Sequence, residues 1–325
     1  KNLTIKTRTS LAAYHGYNYL LARENLTDHL SPDQRKNKIR QRLWKIRAKK
    51  VIIATGSIER PLIFNNNDRP GIMLSSAIKK FIDFYGVKAG KKVSLFTNND
   101  SAYETAISLK KSGVNIVSII DIRDKSSSRI IEETEKLNIK IYWKHTVVNT
   151  EGYKRIRFIE IMQLSDDGSG VIGKKIKLKS DCLGISGGWT PMVHLFTQSG
   201  GKLKFRSDDN VFLPDKNKTP SGQISIGACN GDFDIKDIIL NSNKQVKIFL
   251  GIENSSFDNL KVESSKEKNK RNIWLLPSDK PIGKTKPFLD FQNDSTAKDV
   301  KLALREGFKS IEHVKRYTTT GMGTD

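Results

Sequence analysis

Small residues at the ends of apolar strands are the groups in this sequence best suited to bind a cofactor. The run from Lys50 to Ile53 is followed by Ala54, Thr55 and Gly56. Small side chains at a strand end let the backbone pass close to a ligand or to another chain segment. The pattern therefore makes these three residues candidates for contacts with a cofactor, with a close approach of another chain segment as the alternative.

A second strand end has the same character. The strand predicted for residues 223–228 ends in Gly227 and Ala228, and a helix is expected to start near Phe233. Backbone amides at the start of a helix are suitable donors to a phosphate. Gly227, Ala228, Phe233 and Asp234 are therefore our main candidates for cofactor contacts.

A strand, a helix and a strand are predicted within residues 92–121, and their arrangement is typical of a nucleotide-binding domain. The turn after the first strand should read Gly-x-Gly-x-x-Gly or Ala, but Thr97, Asn99 and Ala102 stand at those positions. The pattern thus predicts the fold of such a domain without its pyrophosphate site. Asp121 at the second strand end is either a ribose contact or an ordinary polar strand end.

The rest of the chain divides around these elements. Gly187 and Gly188, which follow the strand that begins at Cys182, are expected where backbone segments come close together. We predict a first dinucleotide-binding domain in part (1–60), a second one (61–186), a return to the first (187–252), a linker (253–284) and a small helical module (285–325). The start at Lys1 and the end at Asp325 predict a fragment of a longer protein.

Bulk properties argue against several functions. The formal net charge is +22, but the lysines are scattered without interleaved aromatic residues, so neither nucleic acid nor membrane is expected as a partner.

The two cysteines, Cys182 and Cys229, are too few for a disulfide framework or a metal site, and they fit a reducing, cytoplasmic location. His194 and His313 have no carboxylate or nucleophile at a useful spacing, so we interpret them as structural and predict no catalytic residue.

The strand ending in Ala54-Thr55-Gly56 and the following nucleotide domain resemble the two-dinucleotide flavoproteins of the glutathione reductase type. This resemblance implies an α/β fold with two dinucleotide-binding domains, followed here by the small helical module. In such proteins an Asp after the glycine meets the flavin ribityl and phosphate region. Ala228 replaces that Asp, which argues against a conventional flavin site.

Longer segments carry a more specific resemblance, namely residues 59–62, 67–71, 96–103, 186–191, 194–203 and 291–325. They are similar to the alpha subunit of heterotetrameric sarcosine oxidase. The resemblance implies an enzyme that converts sarcosine, O₂ and tetrahydrofolate to glycine, H₂O₂ and 5,10-methylenetetrahydrofolate, assembled with beta, gamma and delta subunits. Residues 1–325 are expected to be inactive alone, since the Gly-rich N-terminal nucleotide strand and the C-terminal tetrahydrofolate domain are both expected to lie outside them.

The same resemblance implies where cofactors lie. NAD would be held non-covalently in this subunit in place of a flavin, with FAD on the beta subunit and FMN at the interface between them. Leu11 falls where the first domain offers backbone contacts to an adenine, although a plain core strand is an equal alternative. A phosphate-binding cluster near the end of the chain is a candidate for the FMN interface, consisting of Lys315, Arg316, Thr318 and Thr319.

Other functions are also compatible with the sequence. The helical module also resembles the [2Fe–2S] modules of related amine and opine dehydrogenases, which need four thiolates. Residues 290–293 replace the expected Cys-x-Cys, and no cysteine follows Cys229, so no iron–sulfur cluster is expected. An alpha subunit of such a dehydrogenase and a non-catalytic assembly subunit are the alternatives, while a free-standing NAD(P)H:flavin reductase would need the missing glycines near Thr97.

Overall fold

The computed structural model describes residues 3–252, 260–264 and 271–323. Its strands are β1 (Thr9–His15), β2 (Tyr19–Asn25), β3 (Gln41–Arg47), β4 (Val51–Ile53), β5 (Ser57–Glu59), β6 (Ile72–Leu74), β7 (Lys92–Thr97), β8 (Asn115–Asp121), β9 (Ile141–Trp143), β10 (His145–Glu151), β11 (Phe158–Leu164), β12 (Val171–Lys179), β13 (Cys182–Ser186), β14 (Trp189–Pro191), β15 (Leu203–Arg206), β16 (Val211–Pro214), β17 (Gln223–Ser225), β18 (Phe288–Asp290) and β19 (Ser295–Thr296). Its α-helices are α1 (Pro32–Arg35), α2 (Ser75–Tyr85), α3 (Ser101–Lys111), α4 (Arg129–Lys136), α5 (His194–Gln198), α6 (Ile235–Leu250), α7 (Ala297–Arg305) and α8 (Ile311–Thr318).

The chain forms two compact units, of which the first comprises residues 1–58 and 190–266. Its antiparallel sheet has the order β1-β2-β3, and the β1–β2 turn passes through Tyr17 and Asn18, which have left-handed backbone angles. The Asn18 side chain accepts a hydrogen bond from the Tyr14 hydroxyl at 2.7 Å. Tyr14, Ile53, Phe196 and other buried side chains form the core of this unit.

The second unit comprises residues 59–189 and 267–325. Its parallel sheet has the order β6-β13-β7-β8-β9. Neighbouring residues of β8 point to opposite faces, because Ile119 packs among side chains from α2, α3 and α4, whereas Ile120 packs against the β10-β11-β12 meander. Both faces of the sheet are therefore buried.

The end of the chain packs onto this second unit. The amide of Ile63 donates to the Trp274 carbonyl at 2.7 Å, and the side chain of Asn67 exchanges two hydrogen bonds with the backbone of Phe288, at 2.8 and 2.9 Å. Helices α7 and α8 follow. Of the predicted linker, residues 253–259 and 265–270 lie outside the described residues, as do residues 1–2 and 324–325 at the chain ends.

Several short-range patterns predicted the observed elements. The nucleotide-domain pattern predicted at 92–121 is β7-α3-β8, preceded by α2, which ends at Gly86 with a left-handed backbone. The helical module predicted at the end of the chain contains α7 and α8. Within the described ranges, no helix has the length and apolar character needed to cross a membrane.

Candidate cofactor-binding site

The first unit brings the two predicted strand ends together. Strands β4 and β17 run parallel, with Ser225 opposite Ile53, and the Ile226 amide donates to the Ile53 carbonyl at 3.0 Å. Because parallel strands end at the same edge, residues 54–56 and 227–228 lie side by side there. This edge is the kind of crevice in which open α/β sheets bind ligands.

Backbone contacts hold the segment after β4 in place. Thr55 donates its hydroxyl to the Met192 carbonyl at 2.7 Å, and the Met192 amide donates to the Gly56 carbonyl at 3.0 Å. Gly56 has a φ of 73°, and a Cβ added to it would meet no atom within 4 Å. Ala54 and Thr55 are exposed. The segment is thus fixed yet open to a ligand.

The segment after β17 turns sharply. Gly227 has a φ of 69° and begins a short 3₁₀ turn, Gly227–Asn230. A Cβ at Gly227 would lie 3.6 Å from Ile238 and 3.9 Å from Ser242, both on α6. Ala228 is partly exposed, so its side chain adds neither charge nor bulk where a phosphate would approach.

The start of α6 is already occupied by a carboxylate. Asp234 caps the helix, with its Oδ1 accepting from the Lys236 amide at 2.9 Å and from the Asp237 amide at 3.4 Å. Its Oδ2 accepts from the Ser264 hydroxyl at 3.1 Å. An anion at this helix start would therefore face a negative charge. Donors to a phosphate are better supplied by the backbone before Phe233, whose ring lies 5.8 Å from the Arg206 guanidinium.

Leu11 lies in β1, an edge strand of its sheet. Its side chain packs against the core of the first unit, and a register shift separates it from Ala13. The backbone contact to an adenine that we expect for Leu11 remains a prediction. An edge strand has free backbone groups that would serve it.

The nucleotide turn of the second unit is filled by side chains. Asn99 replaces a glycine, and its Nδ2 donates to the Ser186 carbonyl at 3.1 Å and to the Ser186 hydroxyl at 3.0 Å. Its Oδ1 accepts from the Ser101 amide at 3.0 Å, while the Thr97 hydroxyl accepts from the Asn99 amide at 3.0 Å. These buried bonds occupy the donors that would otherwise be available to a pyrophosphate.

Asp121 is also buried and hydrogen-bonded within the protein. Its carboxylate accepts from the fully buried Arg123 guanidinium at 2.7 Å and from the Tyr103 hydroxyl at 2.8 Å. Arg123 also donates to Asp100 at 2.8 Å. Burial and the nearby Asp121 carboxylate together raise the pKa of Tyr103 far above its ordinary value. Of the two interpretations of Asp121, the structure favours the polar strand end.

Arg123 was not recognised as important from the sequence. The only signal was a charged pair, Asp121 and Arg123, flanking an isoleucine at the end of an apolar strand. His194 and His313, which we interpreted as structural, are both exposed. Among the described residues, no cluster of histidine, cysteine and carboxylate side chains is arranged to hold a metal ion.

The residues predicted for an FMN interface lie at the end of α8. Arg316 is exposed and pairs with Glu312 at 3.3 Å, and Lys315 is partly exposed. Thr318 is buried, and its hydroxyl donates to the Val314 carbonyl at 2.8 Å. Thr319 is exposed, with a φ of 58°. Arg316 and Thr319 are therefore the members of this group most accessible to a ligand.

Asp290 organises the turn that replaces the expected Cys-x-Cys. Its carboxylate accepts from the Gln292, Asn293 and Gly321 amides at 2.9, 3.1 and 2.7 Å, and from the Asn293 side chain at 2.9 Å. These hydrogen bonds, the one from the Asn293 side chain first, lower the pKa of Asp290 to about 2. A hydrogen-bonded carboxylate thus ties residues 290–293 to the end of the chain.

We expect the module at residues 285–323 to loosen in acid because of Asp290. Since the folded-state pKa lies below the ordinary value of 3.8, the stabilisation is present above pH 4 and is lost as the pH falls toward 2. The protection factor of the Gly321 amide against hydrogen exchange, taken relative to the unfolded peptide at the same pH, should fall in that window. Asp290→Asn should lower it already at neutral pH. The exposed Asp294→Asn serves as control, and equal exchange in both variants would contradict this assignment.

Comparisons with known proteins agree with this architecture. Residues 284–325 match the sarcosine oxidase A3 domain. The chain is 33% identical to the sarcosine oxidase alpha subunit of Corynebacterium sp. (strain P-1), over 98% of this chain and 33% of the relative. It is 31% identical to the corresponding subunit of Rhizobium meliloti (strain 1021), over 100% of this chain and 31% of the relative. The chain therefore spans about a third of the length of these relatives.

Solved structures share the fold. L-proline dehydrogenase from P. horikoshii superposes with a TM-score of 0.60 at 19% identity, covering 97% of this chain and 55% of the other. Thioredoxin reductase from T. acidophilum superposes with a TM-score of 0.52 at 18% identity, covering 75% and 72%. These similarities confirm the predicted α/β fold with two dinucleotide-binding domains and a helical module. The chain is thus homologous, over nearly its whole length, to about a third of the sarcosine oxidase alpha subunit.

Proposed function

We propose that this chain is the dinucleotide-holding part of the alpha subunit of a heterotetrameric sarcosine oxidase. The whole enzyme would convert sarcosine, O₂ and tetrahydrofolate to glycine, H₂O₂ and 5,10-methylenetetrahydrofolate, with beta, gamma and delta subunits as partners. The observation that carries the proposal is the similarity to sarcosine oxidase alpha subunits along 98–100% of the chain. The A3 domain match at residues 284–325 supports it independently of the nucleotide-binding fold.

The dinucleotide would bind at the shared edge of β4 and β17. Ala54, Thr55 and Gly56 would face it from one strand end, and Gly227 and Ala228 would face it from the other. The open space beside Gly56 and the uncharged Ala228 fit a phosphate-bearing group. We propose NAD, held non-covalently, because the flavin-contacting Asp is missing at Ala228.

We propose roles for three more of the predicted residues. Leu11 would contribute backbone contacts from the edge strand β1. Phe233 and Asp234 would act indirectly, because Asp234 caps α6 and Phe233 precedes that cap. Their contribution is to fix the position of the turn at residues 227–230.

The other cofactors would lie on or beyond the surface of this chain. We propose that FMN lies at the interface with the beta subunit, near Arg316, Lys315, Thr318 and Thr319, and that FAD is bound by the beta subunit. Arg316 and Thr319 would supply the exposed contacts. The buried Thr318 would hold the end of α8 in place through its hydrogen bond to the Val314 carbonyl. Tetrahydrofolate would bind a domain outside residues 1–325.

An amine or opine dehydrogenase alpha subunit is the second candidate, favoured by the superposition with L-proline dehydrogenase over 97% of this chain. An iron–sulfur cluster of such a protein would need four thiolates. Both cysteines of this sequence, Cys182 and Cys229, are buried and lie outside residues 284–325. The thiolate count therefore favours the sarcosine oxidase assignment.

Purification of the full-length alpha subunit with its beta, gamma and delta partners tests the proposal. We expect sarcosine-dependent H₂O₂ release, and we expect mass spectrometry of the released nucleotides to detect NAD in addition to the flavins. Ala228→Asp should weaken NAD retention about tenfold, because a carboxylate would be placed near the phosphates. The uncharged Ala228→Asn introduces a side chain of nearly the same size as Asp and should retain NAD.

Two outcomes would contradict the proposal. Recovery of FAD from this subunit without sarcosine activity would favour the amine dehydrogenase alternative. Equal NAD retention in Ala228→Asp and Ala228→Asn would show that the dinucleotide does not bind at the edge of β4 and β17, even if the complex oxidises sarcosine.

A further inference from the structure

The first unit contains a cleft that the proposed cofactor site does not use. It has a volume of about 730 Å³ and lies between the β15–β16 hairpin, the turn at Lys216 and one side of α6. Asn241, Lys244 and Gln245 line it from α6, whereas Ile238 and Ser242 of the same helix lie close to Gly227. The cleft therefore adjoins the cofactor edge at Asn230, the last residue of the 3₁₀ turn, and the two features face different residues of α6.

Positive charge converges on this cleft from three elements. Lys204 comes from β15, Lys216 from the 3₁₀ turn Lys216–Lys218, and Lys244 from α6. Within the described ranges, none of these three amines lies within 4.0 Å of a carboxylate oxygen. Arg206 also lines the cleft, but its charge is neutralised by an ion pair with Asp209. Three lysine amines therefore face the two carboxylates of Asp208 and Asp232. The balance favours an anionic ligand.

Arg206 is rigidly held, unlike the three lysines. Its Nε donates to Asp209 at 2.8 Å, and its terminal nitrogen donates to the same carboxylate at 2.5 Å and to the Gly231 carbonyl at 3.1 Å. These bonds fix one wall of the cleft. The lysine amines, carried on long flexible stems, are the groups able to close around a phosphate.

An acceptor in the same cleft distinguishes the ligand from a simple anion. Oδ1 of Asp232 accepts from the Asn241 side chain at 3.0 Å, whereas its Oδ2 is buried and has no hydrogen-bond donor among the residues that the structure describes. Burial raises the pKa of Asp232, which reflects the cost of leaving this charge poorly solvated. A ligand hydroxyl that donates to this carboxylate from the cleft would offset that cost.

An exposed ring completes the cleft. Phe205 lines it and is 54% exposed, and it packs against Phe212 with ring centroids 5.2 Å apart. Because strand neighbours alternate in direction, the ring lies on the opposite face of β15 from Lys204 and Arg206, so it would meet a sugar or a base at the rim of the cleft. We propose that this cleft binds a small hydroxylated phosphate monoester, either a sugar phosphate or a mononucleotide.

Titration calorimetry on the full chain tests the proposal, with inorganic phosphate, ribose 5-phosphate and adenosine 5′-monophosphate as probes. We expect both phosphate esters to bind more tightly than inorganic phosphate. The double variant Lys216→Gln/Lys244→Gln should bind ribose 5-phosphate about tenfold more weakly, because two charge-assisted contacts are lost. The matched control is Lys218→Gln/Lys247→Gln, which removes two lysines from the same turn and helix but not from the cleft.

The variant Asp232→Asn distinguishes recognition of a ligand hydroxyl from simple attraction of an anion. It should weaken ribose 5-phosphate binding and strengthen binding of inorganic phosphate, since a donor replaces part of the acceptor and a negative charge is removed. Tighter binding of adenosine 5′-monophosphate that Phe205→Ala abolishes would identify a mononucleotide, whereas equal binding of the two esters would identify a sugar phosphate. No binding to the native chain, or equal loss in the two double variants, would overturn the proposal.

Discussion

Replacing Arg123 by Met is expected to destabilise the second unit by about 3–5 kcal/mol, because it leaves buried carboxylates without their cation. The guanidinium is fully buried and donates to Asp121 through two nitrogens and to Asp100 at 2.8 Å. Asp121 is itself fully buried. The remaining hydrogen bond from the Tyr103 hydroxyl cannot balance this charge.

Urea unfolding followed by tryptophan fluorescence measures the effect. Trp143 is a local probe, since its ring stacks on Tyr103 with centroids 6.2 Å apart. The control is Arg129→Met, because the Arg129 side chain is 82% exposed and pairs with Glu133 across one helical turn. That variant should change the free energy of unfolding by less than about 0.5 kcal/mol.

A double variant keeps this prediction testable if Arg123→Met does not fold. Replacing Asp121 by Leu together with Arg123→Met removes both charges of the buried pair and should recover much of the lost stability. A single variant that loses less than about 1 kcal/mol would show that Arg123 is not the cation that neutralises this interior. The pair would then not be needed to neutralise the buried end of β8.

The strand ends of the candidate site were predictable because their signals are local. An apolar strand followed by Ala54-Thr55-Gly56, and another followed by Gly227, can be recognised from a few adjacent residues. Parallel pairing of β4 and β17 then places them at one edge. The missing glycines at Thr97 and Asn99 agree with the hydrogen bonds that the Asn99 side chain makes in that turn, while the lack of a pyrophosphate site there remains a prediction.

Features that depend on distant contacts were not predictable. The sequence places Asp234 at the start of a helix, but it does not predict that its carboxylate also accepts a hydrogen bond from Ser264, thirty positions away in the sequence. Arg123 looks like a surface residue after a strand and is instead fully buried. Such roles are set by which segments meet in the folded chain, and local periodicity carries no information about that.

Gly187→Ala should destabilise the second unit by about 3 kcal/mol, because the added methyl group has no room. A Cβ at this position would lie 2.7 Å from the Pro61 carbonyl oxygen and 2.9 Å from the Arg60 carbonyl oxygen. Both are backbone atoms and cannot rotate away. The Gly187 backbone is also held on both sides, since its amide donates to the Arg60 carbonyl at 2.7 Å and its carbonyl accepts from Trp274 at 2.6 Å.

The neighbouring glycine separates steric clash from backbone strain. Gly188 has a φ of 87°, but its nearest neighbour would be a side-chain nitrogen of Arg60 at 3.6 Å, so Gly188→Ala should cost only about 1–2 kcal/mol. Gly283→Ala, at an open position without a positive φ, should change stability by less than about 0.5 kcal/mol. These losses are measured by urea unfolding with Trp274 as the reporter.

The order of these three losses is the decisive result. If Gly187→Ala costs most, the small residues after β13 are needed because the chain passes close to Arg60 and Pro61, as the double glycine in the sequence predicted. If Gly188→Ala costs more than Gly187→Ala, the requirement is for a left-handed backbone at the strand end instead. Since the Gly187 amide and carbonyl bind Arg60 and Trp274, loss of packing there should also change the environment of the Trp274 ring, over which the Arg60 guanidinium lies at 4.2 Å.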